Sequence, residues 1–463
     1  MEQVQALLVT VSDFLWGFPL IVALIGTGLY LTLRLDFVQF IHLPRALTMI
    51  FFPPKDEKGH GEISHFQALM TALAATVGTG NIAGVATAIS MGGPGAMVWM
   101  WVTGLLGMAS KYSEAVLALH YRDIHPDGTV AGGPMYYIQK GVKSRPLAIA
   151  FAIFTSIAAF GIGNMVQSNS TAEAINGAFG VPHWITGLVI TVFAGLVIIG
   201  GIKSIGRVTQ VFVPVMIIFF MTGGFVAVFM HLSLLPGALK IIFVHAFTGE
   251  AVWGGIAGHG VREAMRYGLA RGLFSNESGL GSAPIAAAAA RTDHPVTQAL
   301  ISMTQTFIDT LVVCSMTGIV IVMANVADGS LTGAKLSAAS FDRLLAPGVG
   351  SIVSAVALAL FAYSTVLGWC YYGEKAIEYL IGGAYIKYYR MVYVVFVFIG
   401  AVTRLESVWS FADIMNGLMA LPNLLALVLL AGTIKALQKD YFERFLPEST
   451  ARSGKSPGGA AGS

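Results

Sequence analysis

Two short runs in this sequence set glycines and polar residues inside otherwise apolar stretches. The first is Thr76-Val77-Gly78-Thr79-Gly80-Asn81-Ile82-Ala83-Gly84. The second is Arg271-Gly272-Leu273-Phe274-Ser275-Asn276-Glu277-Ser278-Gly279-Leu280-Gly281-Ser282. Glycine costs about 1 kcal/mol relative to alanine inside a helix, so each run marks a helix break. At a break, backbone N–H groups lose their carbonyl partners, and the next half-helix has a partly positive N-terminus. The N–H groups of Thr79 and Gly80 can therefore hold a carboxylate without an arginine. Gly80, lacking a Cβ, lets a ligand come close. Asn81 adds an amide that both donates and accepts. The carbonyls of Ala74 and Val77 lose their partners where the helix unwinds, and Ser364 and Thr365 offer adjacent hydroxyls. Such oxygens suit a hard metal cation. Gln167, ending the run Gly161–Gln167, must find partners in an apolar setting.

Each feature also has a purely structural reading. The glycines can be helix-packing faces. The hydroxyls can bond back to their own helix. The amides of Asn81 and Gln167 can pin a kink or a helix contact. Phe274 and Trp369 can be core rather than pocket wall. Gly78-Thr79-Gly80 followed by Ala83 resembles a dinucleotide loop, but no βαβ unit surrounds it. No acidic residue follows about 20 positions on; Met97–Trp101 stands there.

These residues sit in a chain of 463, of which 56% are hydrophobic and 11% charged. A soluble protein carries about 25% charged residues. With 27 basic and 24 acidic side chains, a soluble fold of this size could not cover its surface. The mean hydropathy of +0.74 agrees. The composition reads as an all-α polytopic membrane protein. It excludes a cytosolic enzyme, a secreted disulfide scaffold and a nucleic-acid reader. Cys314 and Cys370 lie in apolar runs and read as buried hydrophobes. The first apolar run reads as a retained helix rather than a leader, and Ser453–Ser463 as a flexible tail.

A membrane helix needs about 20 apolar residues. Eleven spans are expected, at 12–33, 64–90, 95–120, 147–170, 183–201, 208–231, 250–290, 295–325, 348–372, 389–404 and 408–434. With the N-terminus outside and the C-terminus inside, most of the 27 basic residues face the cytoplasm, Lys111, Arg122 and Lys140 among them. The exceptions are Lys240, Arg262, Arg266, Arg271, Lys335, Arg343 and Arg404. That bias follows the positive-inside rule. Setting the first helix aside leaves ten, and a broken segment opens each group of five. Two halves of opposite topology, each led by a broken helix, form the inverted-repeat pattern of secondary transporters. The chain divides into an extra helix and loop (1–62), a first repeat (63–232, broken at 78–84), a second repeat (233–440, broken at 272–281) and a tail (441–463).

Longer motifs then become legible. They are the run from Ser64 to Leu69 leading into 78–88, then 92–101, 131–137, 161–167, 200–206, 272–295 and 361–375. In order, from about Leu15 to Gly432, they resemble the alanine-or-glycine:cation symporters, often called sodium:alanine symporters. The polar set His259, Arg262, Glu263, Arg266 and Tyr267 departs from that pattern. The resemblance implies a leucine-transporter-type fold of five plus five helices with one extra N-terminal helix. It implies sodium-coupled import of alanine or glycine by alternating access at the cell membrane; the alternative is a proton-coupled carrier of the same fold. It places Thr79 and Gly80 at the substrate carboxylate and Asn81 beside it. Gln167 is expected to meet the substrate's charged groups, and Phe274 and Trp369 to wall a pocket for small side chains. It places sodium, the co-transported ion, on Ala74, Val77, Ser364 and Thr365. Alanine or glycine, sodium and the bilayer are the partners expected; no nucleic acid and no obligatory protein partner is implied. No HExxH, nucleophile–His–carboxylate set or nucleotide loop suggests an enzyme or a primary pump. Glu114, Glu277, Asp309, Glu374 and Asp413 lie in or near spans and are functional candidates by default. Glu277 is expected to pair with Arg271, and His65 reads as a surface or capping histidine.

Overall fold

The structure, a computed structural model, describes residues 2–53, 59–248, 260–327, 331–403 and 406–448. His259, the opening of the 250–290 span, Lys55, Lys58, Arg404 and the tail from residue 449 lie outside the described residues. The helices are apolar outside and polar within. Leu196 and Phe229 are 70% and 67% exposed, whereas Asn81, Glu114 and Asp309 are fully buried. Such an inversion is stable where the surrounding solvent is hydrocarbon, because buried polar groups then partner one another.

Among the described residues, seven helices are long and apolar enough to cross a membrane, and eight if one bent pair is a single span. That is fewer than eleven, for local reasons. Ala96–His120 carries Lys111 and Glu114 in its buried interior, His183–Ile198 has 16 residues, and Val261–Asn276 is studded with charge. Several helices fall where the sequence reading left loops, Leu43–Phe51 and Pro134–Tyr137 among them. Leu235–Thr248 packs its His245 on Gly93, and Gly333–Leu344 is amphipathic. The buried set Leu336, Ser340, Phe341 and Leu344 shows helical spacing that could have revealed the latter.

The bent pair is the first broken helix. Its halves, His65–Thr76 and Gly80–Gly92, meet at 53°. The first half starts on a capping box: Ser64 Oγ accepts from Gln67 N–H at 3.2 Å, and Gln67 Oε1 accepts from Ser64 N–H at 3.0 Å. His65 behind it is buried and bonded to Gln298 at 2.6 Å, so it is no surface histidine. The second broken helix runs from Val261 to Asn276, unwinds, and resumes at Pro284–Ala288. It stays helical through Gly272, which packs against Thr103; the break falls at Glu277, in left-handed backbone at φ 54°. Gly279 and Gly281 follow at φ 86° and 87°, where a side chain would be strained.

At one end of the bundle the loops flanking both broken helices pair. His60 bridges Thr292, Ile63 bridges Ala290, and Arg122 clamps them, donating to the carbonyls of His60, Ala288 and Ala290 at 2.7–2.8 Å. At the other end, Thr332 and Ser337 of the Gly333–Leu344 region bond Ser90 and the Ile82 carbonyl of the half-helix Gly80–Gly92. These are the Arg122 end and the Lys335 end below.

Candidate functional site

The break in the first helix is held by Asn81. Its Oδ1 accepts the Gly78 N–H at 2.9 Å, and its Nδ2 donates to Asp309 Oδ1 at 2.7 Å. Both ends of the amide thus serve the protein. Asp309 also accepts from Ser275 at 3.0 Å and Thr310 at 2.9 Å, so one carboxylate joins the two broken helices. It sits in a π-helical turn, Phe307–Cys314, a distortion common at functional sites. Thr79 and Gly80 open the next turn, where the first N–H groups have no carbonyl behind them.

The oxygens of the two remote elements converge. Ser364 Oγ lies 3.1 Å from the Ala74 carbonyl, 3.5 Å from that of Val77 and 2.8 Å from that of Phe361. A hydroxyl has one proton. Given to Phe361, it leaves the oxygen's lone pairs facing Ala74 and Val77. Thr365 also bonds back to Phe361, at 3.1 Å, and a Cβ on Gly78 would stand 2.6 Å from its Oγ1. Gly78 is thus what lets the two helices meet. The donor set is neutral oxygen and fits sodium.

Thr79, Gly80, Gln167, Phe274, Trp369 and Thr365 border one small cavity, about 10 Å³ in this conformation. Asn81 does not border it; Ala74, Val77 and Ser364 lie behind it. Gln167 Nε2 donates to the Ile162 carbonyl at 3.0 Å, while its Oε1 is buried with no partner among the described residues. The helix carrying it continues to Phe179, well past the expected end at 170, because its polar face bonds neighbours: Asn169 donates to the carbonyls of Gly400 and Thr403. Trp369 is fully buried, and its place is set by Gly163, where a Cβ would come within 2.3 Å of it. Phe274 and the Thr79–Gly80 backbone also border a second cavity of about 780 Å³, which reaches Lys335 and Asp342. Phe274 therefore stands between the small cavity and a vestibule at the Lys335 end, with Trp16 edge-on to it at 6.1 Å.

Several residues here were not assigned from sequence. Glu277 borders the cavity, and its carboxylate accepts from Trp369 Nε1 at 3.0 Å and from Ser282. It does not pair with Arg271, which lies over the Phe274 ring at 5.8 Å. Lys111 is no loop residue. It is buried in mid-helix and donates to the Glu277 carbonyl at 3.0 Å, at the C-terminal end of the half-helix Val261–Asn276. Glu114, one turn on, accepts the Gly281 N–H at 3.0 Å. A cation thus meets exposed carbonyls and an anion meets an exposed N–H, which compensates both ends of the break. The i, i+3 pair of opposite charges inside an apolar run was the signal in the sequence. Ser275 and Asn416 also border the cavity, and nothing local marks either.

Known proteins resemble this chain along nearly its whole length. The family model described as the sodium:alanine symporter family matches residues 1–453. The sodium/alanine symporter AgcS of Methanococcus maripaludis is 52% identical over 442 residues, covering 94% of this chain and 96% of that protein. An uncharacterized transporter of Haemophilus influenzae is 48% identical over 443 residues, covering 95% and 97%. Among solved structures, MhsT in complex with L-phenylalanine superposes with a TM-score of 0.56 at 14% identity, over 86% of this chain and 93% of that one. That likeness shows a fold shared with transporters of the leucine-transporter type.

Proposed function

This chain belongs to the sodium:alanine symporter family, and on that premise we propose that it imports a small neutral amino acid, alanine or glycine, together with sodium by alternating access. The observation that carries the reading is the Ser364 hydroxyl, within 3.1 Å of the Ala74 carbonyl and 3.5 Å of the Val77 carbonyl. Sodium on these atoms and Thr365 ties the first broken helix to the long helix Val349–Ile381. It is cargo and coupling ion, not a resident cofactor. The substrate carboxylate lies on the Thr79 and Gly80 N–H groups, one turn away. Gln167 Oε1 faces the ammonium, and the side chain lies between Phe274 and Trp369. Rings on both sides favour glycine and alanine.

Sodium entry down a negative-inside potential contributes about 2.3 kcal/mol per charge per 100 mV. In this conformation the vestibule reaches the site from the Lys335 end, while paired loops close the Arg122 end. We assign the Arg122 end to the cytoplasm, with the N-terminus outside in the cell membrane. Lys140, Lys203, Lys375, Arg390 and Lys435 near that end support this orientation. The two broken helices support the five-plus-five inverted repeat behind an extra N-terminal helix. A proton-coupled carrier is the second reading, favoured by the Glu277 carboxylate on the cavity wall. The test is labelled alanine uptake into liposomes under an inward sodium gradient, against a proton gradient with potassium. Uptake driven by sodium alone supports symport; uptake indifferent to sodium selects the second reading.

A further inference from the structure

The small cavity holds a second buried acceptor that the transport reading does not use. Asn416 lies on the helix Glu406–Leu429, is 2% exposed, borders the cavity, and its Oδ1 has no partner among the described residues. Gln167 Oε1, on the same cavity and 3.4 Å from where a Cβ on Gly78 would stand, is in the same state. Their helices are brought together by a close approach of Gly161 and Ala412; a Cβ on Gly161 would stand 2.3 Å from that of Ala412. Asn416 is one helical turn beyond Ala412, so this contact aims its amide at the Ile162–Gln167 turn.

Buried amide oxygens are normally satisfied, and leaving one bare is costly. Two bare oxygens on one small cavity suit a ligand with several donors on one atom. An ammonium group offers three N–H donors. The Thr79–Gly80 turn borders the same cavity, and its N–H groups suit a carboxylate. Acceptors for an ammonium and donors for a carboxylate thus border one cavity, as the two ends of a zwitterion require. We infer that Asn416 binds substrate directly, accepting from its ammonium group jointly with Gln167. This inference rests on the amino-acid reading above and adds a residue to its site. It makes the last long helix part of the binding site and not only packing behind it. It predicts selection for a free amine: an analogue with fewer N–H donors leaves one oxygen bare.

The test is equilibrium binding of labelled alanine to the purified full-length protein in sodium, for wild type, Asn416→Leu and Asn416→Asp. Thermal stabilisation by sodium without alanine is read alongside. Asn416→Leu keeps the volume and removes the acceptor. Loss of a hydrogen bond to a charged group predicts alanine affinity lower by about 10- to 100-fold, with the sodium shift unchanged. Asn416→Asp keeps an acceptor and is expected to retain binding. Wild-type alanine affinity in Asn416→Leu overturns the inference. So does equal loss of the sodium and alanine responses in both variants, which marks a packing residue. Wild-type protein that binds no alanine in sodium overturns the amino-acid reading itself, and this inference with it.

Discussion

The indole Nε1 of Trp369 donates to the Glu277 carboxylate at 3.0 Å, joining residues 92 positions apart in the chain. One partner is a wall of the small cavity on a continuous helix. The other is the first unwound residue of a broken helix, held by Lys111 at its carbonyl and Ser282 at its carboxylate. The bond couples the shape of the cavity to the state of the break. Replacing Glu277 with Ala leaves the indole N–H buried without a partner. Loss of such a bond costs about 1.5–3 kcal/mol, read as a lower unfolding temperature by tryptophan fluorescence. Glu277→Gln keeps an acceptor and should lose less. Equal losses in both variants would mean the bond itself contributes nothing.

Thr365→Ala removes one oxygen from the proposed sodium set while leaving Ser364 on Ala74 and Val77. The expected cost is about 1–3 kcal/mol, seen as a sodium requirement for uptake raised about 5- to 150-fold in a folded protein. An unaltered sodium dependence places the ion elsewhere.

Size selection is expected to lie in Phe274 and Trp369, since the backbone end of every amino acid is the same. A pocket gains only about 1–3 kcal/mol per methylene that fits, so refusal by rigid rings is the stronger device. Phe274→Ala or Trp369→Ala should let valine and leucine compete with labelled alanine and should weaken alanine itself. If both variants still exclude valine, these rings are core.

Arg122 closes the end of the bundle opposite the vestibule through three carbonyls on two loops. Arg122→Ala should favour opening at that end. A cysteine at Thr76, in a background lacking Cys314 and Cys370, should react faster with a thiol reagent added from the Arg122 side. Equal rates with and without Arg122 would assign the closure to the paired backbone alone.

Orientation is testable in intact cells. A cysteine near Lys335 should be labelled from outside by an impermeant reagent, and one near Lys140 only after the membrane is opened. The reverse pattern inverts the molecule.

What the sequence determined by itself is local. Hydrocarbon solvent requires apolar helix exteriors, so composition alone identifies a membrane protein. Unwound backbone requires glycine and polar neighbours, so the first break is legible at Gly78–Gly80. Neutral oxygens at Ala74, Val77, Ser364 and Thr365 are visible as types. What only the tertiary structure decided is partnership. Gly272 reads as a break in sequence, yet it is a packing contact with Thr103, because the same residue serves a kink or a close approach. Lys111 reads as a loop cation, yet it caps a carbonyl 166 residues away. Asn81 reads as a ligand amide, yet both its ends are taken, one by Asp309 at a separation of 228 residues. Asn416 carries no local mark at all. A buried polar group must be partnered, and its type states that need. Which group answers depends on which helices pack together, and no local spacing encodes that.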